Sequence, residues 1–483
     1  VRFSAKGAGW VLSNEFTGKL YLDWASGPLI NQYLSAYQWQ GVHLEEIDAS
    51  GRLWLDFLEG EVLSLQGEID AETLQWESEK GLVHPLKNIK ADIFWSRLDS
   101  SSILSLYDLS MEWRNYRWSP AAYSIYLSDK QISASGQHIN LSMLTELLLA
   151  TNVLPSGGQQ ELEAYRPSGS LTNFELIVPL EPVSESSDEK PAPLFQLEAN
   201  IEDVSALAVG GAPGATGMTG YLLLDDRQGA VFVDSDDFTL SFPNLFLDGW
   251  SFEKSQVIVN WDIADSGDIN VSSSGINLFL TEESLVFGEF SLLLSDTEED
   301  ILALKVGLND LDATRTHQLV PYHVVDEGIY NWLKTSIKGG MVKSGLYVGY
   351  GSIEDDAPEN SFTSSMVFNT SGARLLFDSE WPELEGLNSK IFLQNGYLNI
   401  DAPEVSFRGA PLSGTRVELS PNVEKAESWL KVFTQTRPSD SDLRYWLNDS
   451  PVKEYTRKVS EQLMLHGEFD VDVELSVPLH DMG

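Results

Sequence analysis

The sequence predicts a mainly β protein, antiparallel, with a few short amphipathic helices. Three observations carry this: apolar and polar residues alternate with period two over much of the chain, a tight-turn dipeptide separates two such runs, and helical spacing occurs only in short pieces. The clearest alternation is at the C-terminus, where Phe469, Val471, Val473, Leu475 and Val477 share one face and Asp470, Asp472, Glu474 and Ser476 the other. Similar rows are Phe174, Leu176, Val178; Phe238, Leu240, Phe242; Val257, Val259, Trp261; and Ile276, Leu278, Leu280. One apolar and one polar face per strand is the pattern of antiparallel sheet, since parallel strands are usually buried on both sides.

Helical spacing is confined to Leu141–Thr151 and to pieces near residues 326–338 and 441–465. In the second, Val325, Ile329, Trp332, Leu333 and Ile337 recur at helical spacing, so Trp332 and Leu333 are expected on the side packed against the sheet. Each piece leads into glycine (Gly169, Gly340, Gly467) and then a strand, a weak internal repeat. The pair Gly339-Gly340 is expected to stop its helix in a left-handed cap. Asn395-Gly396 favours a type I′ hairpin turn, and Gly229 marks a second turn. Polar stretches at 183–193, 354–361 and 434–442 suggest boundaries. The expected segments are 1–182 with a helix near 141–151, 183–325, and 326–483 with helices near 326–338 and 441–465. At about 14 residues per strand and turn the chain supplies on the order of 30 strands, spaced ~4.8 Å. Such a sheet either closes as a sandwich or barrel or curls along its length into a trough, and periodicity leaves both open.

Composition narrows the function. The chain has 483 residues, 42% hydrophobic and 11% aromatic, enough for an extensive folded structure. With 31 Lys+Arg against 73 Asp+Glu, the net charge of −42 repels phosphate backbones, so no nucleic-acid partner is expected. The acids read as a solvated face. Cysteine is absent, which excludes disulfides and thiol chemistry. No apolar run approaches the ~18 residues of a membrane-spanning helix. The chain opens at Val1 without a leader and stops at Gly483 just after a strand, so it reads as a segment of something longer.

No constellation argues for catalysis. Among the 7 histidines, His317 and His323 lack zinc-ligand spacing. Gly210–Gly220 lacks the Gly-Lys-Ser/Thr ending of a phosphate loop, and no Gly-x-Ser-x-Gly elbow occurs. The acidic clusters Asp234, Asp236, Asp237 and Glu298, Glu299, Asp300 lack the spaced ligands of a calcium loop. A non-enzyme without metal or cofactor is expected. What stays unassigned is apolar surface, with 14 Trp, 16 Tyr and 21 Phe, many of them on strand faces.

An ordered set of residues carries a resemblance. It comprises Val320-Pro321, Trp332-Leu333, Gly339-Gly340, Val342, Gly345, Tyr350-Gly351, Phe377, Trp381-Pro382, Leu384, Leu387, Asn395-Gly396, Leu398, Ile400 and Gly409. In these the chain resembles the AsmA-like bridging lipid-transfer proteins of Gram-negative envelopes, strongly from about residue 141 to 479. The resemblance implies an elongated, twisted sheet curled into an apolar groove. It also implies a periplasmic location, an inner-membrane anchor outside this segment, and phospholipid acyl chains passing between inner and outer membranes. The residues expected to line the groove are the rows named above, from Phe174, Leu176 and Val178 to Phe469, Val471, Val473, Leu475 and Val477. The alternative is a non-transporting periplasmic scaffold or outer-membrane assembly factor, with outer-membrane or envelope proteins as partners. A third reading, a carbohydrate-active or adhesive β-solenoid, would be favoured by aromatic rows on an outward face together with saccharide binding by the segment.

Overall fold

Alternation becomes ladders. The computed structural model describes residues 1–11, 13–25, 38–39, 42–77, 85–151, 154–180, 193–354, 356–358, 360–422, 427–451, 453 and 470–479. These gather into two units, Val1–Ser235 and Asp236–Gly483. The fold is mainly β, antiparallel and open, with few short helices.

The first unit contains β1 (Arg2–Ala8), β2 (Thr17–Trp24), β3 (Gln38–Trp39), β4 (Val42–Leu58), β5 (Glu61–Glu77), β6 (Leu86–Leu98), β7 (Ser101–Trp113), β8 (Tyr116–Leu127) and β9 (Gln131–Asn140). Two helices follow, α1 (Leu141–Thr151) and α2 (Ser156–Tyr165), then β10 (Ser168–Pro179), β11 (Gln196–Ala206) and β12 (Gly214–Asp225). The short β3 pairs with the start of β4. The others form one antiparallel meander, β1-β2-β4-β5-β6-β7-β8-β9-β10-β11-β12. β13 (Gln228–Ser241) crosses the division between the units.

The second unit repeats the pattern with β14 (Trp250–Ile263), β15 (Ile269–Phe279), β16 (Leu285–Leu294) and β17 (Ile301–Asp312). A 3-10 turn (Ala313–Leu319) and α3 (Glu327–Ser336) precede β18 (Ile337–Ser352), β19 (Phe362–Leu375), β20 (Leu384–Gln394), β21 (Tyr397–Phe407), β22 (Ala410–Asn422) and β23 (Glu427–Thr436). After α4 (Asp440–Asn448) comes β24 (Val471–Leu479). Each strand from β14 to β24 is antiparallel to the next. Among the described residues no pairing closes either meander on its first strand. Among the described residues there are 24 strands, against the ~30 expected from a 14-residue repeat, and β4 and β5 each run for 17 residues.

Local chemistry explains the ends of the elements. Asn140 caps α1, its side-chain oxygen accepting from Met143 N at 2.8 Å. Asp326 caps α3 in the same way, and Ser439 with Asp442 forms a capping box on α4. Asn395 (φ 45°) and Gly396 (φ 85°) make the two-residue turn between β20 and β21, as expected.

Three expectations need correction. The α3 helix ends at Ser336, and Ile337 is already extended (φ −83°, ψ 111°). Gly340 (φ 102°) instead sits at a register shift inside β18, where a Cβ would lie 2.3 Å from the Ala373 Cα. The pair therefore serves a strand bulge and not a helix cap. Gly229 lies inside β13; the turn is at Asp226 and Arg227, because the Asp225 carboxylate accepts from Arg227 N and Gln228 N, both at 2.8 Å. On α3 the buried residues are Tyr330, packed on Tyr322 at 4.9 Å, and Ser336, whereas Trp332 is exposed and Leu333 half-buried. Residues 454–465 of the third expected helix, and the boundary expected between 182 and 183, lie outside the described residues.

Bulges recur within the first unit. Asn88, Asp108, Asn173 and Asp203 have positive φ (52°, 51°, 48° and 50°), and each falls at a register shift. Asn and Asp tolerate this conformation better than other side-bearing residues. Each bulge adds local twist and shifts the alternation by one residue, so the face continues with inverted parity.

Candidate functional site

Residues paired directly across antiparallel strands lie on one face, so the registers show how the strand rows join. In the first unit one line of partners runs Ala5, Leu20, Leu55, Leu65, Trp95, Leu104, Ile125, Ala134, Leu176, Leu197 and Leu224. It crosses eleven strands without a polar residue. Two positions along, Phe3, Leu22, Leu53, Gly67, Ile93, Leu106, Tyr123, Gly136 and Phe174 form a second line. Ten interstrand steps of ~4.8 Å make each full line roughly 48 Å in contour.

The second unit has the same construction from different residues. One line is Val257, Ile276, Gly288, Val306, Tyr347, Met366, Leu393, Leu398, Leu419, Leu430 and Val477. Its neighbour is Ser255, Leu278, Val286, Leu308, Gly345, Phe368, Ile391, Ile400, Val417, Val432 and Leu475, with Ser255 the one polar member. The opposite face is mixed: the line Asn309, Ser344, Asn369, Lys390, Asp401, Arg416 is polar, whereas Phe287, Gly307, Leu346, Val367 and Phe392 form a shorter apolar line that gives way to Asn399 and Glu418.

The face is uncharged as well as apolar. Burial raises the Tyr123 phenol above its ordinary value despite the hydrogen bond from Trp118, and raises Tyr347 likewise despite Ser364. Both rings stay neutral. Polar interruptions further along are satisfied by neighbours, with Thr370 and Ser389 hydroxyls 2.7 Å apart and Thr415 and Thr434 also 2.7 Å apart. The charges lie on the other side, in exposed pairs such as Lys19–Asp56 at 3.0 Å and Lys305–Glu289 at 3.1 Å. The hydrogen bond from Lys19 holds the Asp56 carboxyl below its usual range.

Most of this face is not sealed. Ile125 and Leu475 are exposed, and Leu55, Leu65, Trp95, Leu104 and Ile391 are only half-buried. Part of it is closed: Ser255, Leu278, Val286 and Leu308 of the second unit are buried, and so is the α1 end of the first unit. There Trp76, Trp113, Trp118 and Met143 form a buried cluster, bordered by Leu74, Leu86, Met111 and Leu147. Arg114 lies 4.3 Å over the Trp113 ring and 2.9 Å from Glu146 of α1.

The expected groove residues fall as follows. Phe174 and Leu176 lie in the two lines of the first unit, and Val178 is opposite Ile132. Val257, Ile276 and Val477 share one line of the second unit, Leu278 and Leu475 the next. Val259 and Trp261 are half-buried on the Val257 side of β14, with Trp261 opposite Val271. Phe238 stacks on Phe252, Leu240 is half-buried, and Phe242 packs on Phe246 and Trp250 just past β13. Leu280 lies past β15, its N–H donating to Ser284 O in the turn. Val471 and Val473 oppose Thr436 and Thr434, and Phe469 lies outside the described residues. Sequence reasoning missed the central strands of the first unit, although "LWLDFL" and "VLSLQG" (53–58 and 62–67) alternate as clearly as the rows it used.

Among the described residues the histidines sit in local contacts. His317 binds Thr314 O at 2.8 Å and packs on Tyr330, and His323 packs on Tyr322. Among the described residues no three His, Cys, Asp or Glu side chains converge on a metal position, and no helix is long and apolar enough to cross a membrane.

Open antiparallel sheet with apolar lines crossing the strands of each unit defines the β-groove class of protein. The chain belongs to the YhdP family: a family model described as YhdP protein matches residues 2–483. No curated protein and no solved structure matches it. The family is one of lipid-transport-related cell-envelope proteins and is not known for enzymatic activity.

Proposed function

We propose that this segment is a periplasmic bridge-like lipid-transfer element that guides phospholipid acyl chains along its apolar faces between inner and outer membranes. The anchor to the inner membrane would lie outside the segment. The observation that carries the reading is the pair of apolar lines crossing the strands of each unit while remaining accessible. A lipid tail needs contiguous apolar side chains and no fixed polar partner, and these lines offer both. Each buried methylene is worth about 0.8 kcal/mol, so a tail of some 16 carbons gains on the order of 10 kcal/mol from an adequate groove. Because successive line positions are chemically alike, a tail shifted by one strand meets nearly the same surface, and sliding meets no deep trap.

The test is mass spectrometry of lipids retained by the purified segment. Phospholipid is expected in the native chain and much less in Ile391→Asp or Val473→Asp. Asn369→Asp, on the opposite face, should retain it. A native segment carrying no phospholipid would favour the scaffold reading instead.

A further inference from the structure

The polar face of the first unit carries a feature that lipid passage does not use. On β4, Trp54 lies between Leu53 and Leu55 of the two apolar lines, so its ring is on the other side of the sheet. There the line of partners is Tyr21, Trp54, Gln66, Phe94. The adjacent line is Asp23, Arg52, Glu68, Asp92, Tyr107. Trp54, Phe94 and Tyr107 are 44%, 37% and 50% exposed, unusually open for rings grouped on a polar face. With Gln66, Glu68 and Asp92 they line a shallow concavity of about 640 Å³. Tyr21 supports Trp54 from one side, ring centroids 5.2 Å apart. Glu68 is held by Arg52. Among the described residues the Gln66 amide and the Asp92 carboxylate carry no side-chain hydrogen bond and remain available.

We infer that this concavity is a binding site for an uncharged β-linked glycan strand. A pyranose ring presents an apolar C–H face and a rim of hydroxyl and amide groups. It is held by a flat aromatic surface with acceptors and donors at the ring edge. Trp54 and Phe94 stand two strands apart, roughly 9.6 Å, the order of a β-1,4-linked disaccharide repeat, so alternate sugars stack. Gln66 lies between them in the same line, and Asp92 and Glu68 flank it, placed to accept hydroxyl hydrogen bonds and, through the amide, to donate one. The acids Asp23, Glu68 and Asp92 against the single Arg52 exclude polyanions and lipid phosphates. The site is on the face away from the apolar lines, so it stands or falls separately from lipid transfer.

The test is isothermal titration of the whole segment with a hexamer of N-acetylglucosamine. Saturable binding is expected, weakened about tenfold by Trp54→Ala and by Phe94→Ala and several-fold by Asp92→Asn. Circular dichroism and retained lipid should be unchanged in all three, since the side chains are exposed on the polar face. Absence of saturable binding, or binding undiminished from the native chain in Trp54→Ala and Phe94→Ala, would overturn the inference. So would full competition by tetramethylammonium, which would mark the rings as a cation site.

Discussion

The helices α1 and α3 hold comparable positions in their units, each standing in a connection between two strands, yet they are anchored differently. α1 sinks Met143 (0% exposed) among Trp76, Trp113 and Trp118, converting part of the apolar face into a closed core. α3 buries Tyr330 against Tyr322 and His317, while Ile329 and Trp332 stay 48% and 42% exposed. Trp332 is tied to the loop before β20 by its Nε1–H, which donates to Phe377 O at 3.0 Å. The difference teaches that a helix in this architecture has two roles. It can cover the apolar face, as α1 does, or pack mainly on its own connection, as α3 does.

Substitutions can break or sharpen that contrast. The largest effect is expected for Met143→Asp, which places a charge in a dry Trp cluster; the cost is about 4 kcal/mol or more, read as loss of the first unit's transition in denaturant. Ile329→Asp on α3 should cost little, and equal losses for the two would erase the distinction. Tyr330→Ala should destabilise the second unit by about 2–4 kcal/mol, measured by the same titration. Gly340→Ala follows at roughly 1–3 kcal/mol, because its φ of 102° and the nearby Ala373 Cα forbid a side chain. Trp332→Phe keeps the ring and removes the bond to Phe377, so about 1 kcal/mol is expected.

The smallest effect is a pH response in the β12–β13 turn. Partial burial would raise the Asp225 carboxyl, but the backbone N–H groups of Arg227 and Gln228 and the Gln228 side chain outweigh it and hold it below its ordinary value. The turn's added stability is therefore present above the unfolded carboxylate pKa and is lost as pH falls through the lower folded value. A fall in the protection factor of the Gln228 amide in acid, taken against the intrinsic exchange rate at each pH, would show it, and Asp225→Asn should abolish the dependence.

Much of this was legible in the sequence, for definite physical reasons. Period-two alternation gave the strands and their antiparallel character, Leu141–Thr151 read as a helix to the residue, and Asn395-Gly396 gave its turn. The lines across strands were not legible, because they depend on register. Bulges at Asn88, Asp108, Asn173 and Asp203 invert the alternation within a strand, so Leu106 and Leu109 share a face despite odd spacing. Glycines hide inside the lines as well: Gly136 lies under the Phe174 and Tyr123 rings and carries no apolar signal of its own. Helix α2, "SGGQQELEAY", has two glycines in its first turn and weak apolar spacing, so nothing in its pattern announced it.

The central claim is that acyl chains lie along the apolar lines and not elsewhere on the sheet. Its most direct test is a photo-crosslinking amino acid placed in turn at Leu55, Leu104 and Ile391, in the apolar lines of their units, and at Asp56, Asp70 and Lys390 on the reverse side of their strands, followed by mass spectrometry after irradiation in cells. Phospholipid adducts at the first three positions and none at the second three are predicted. Adducts on both faces alike, or on neither, would contradict the account.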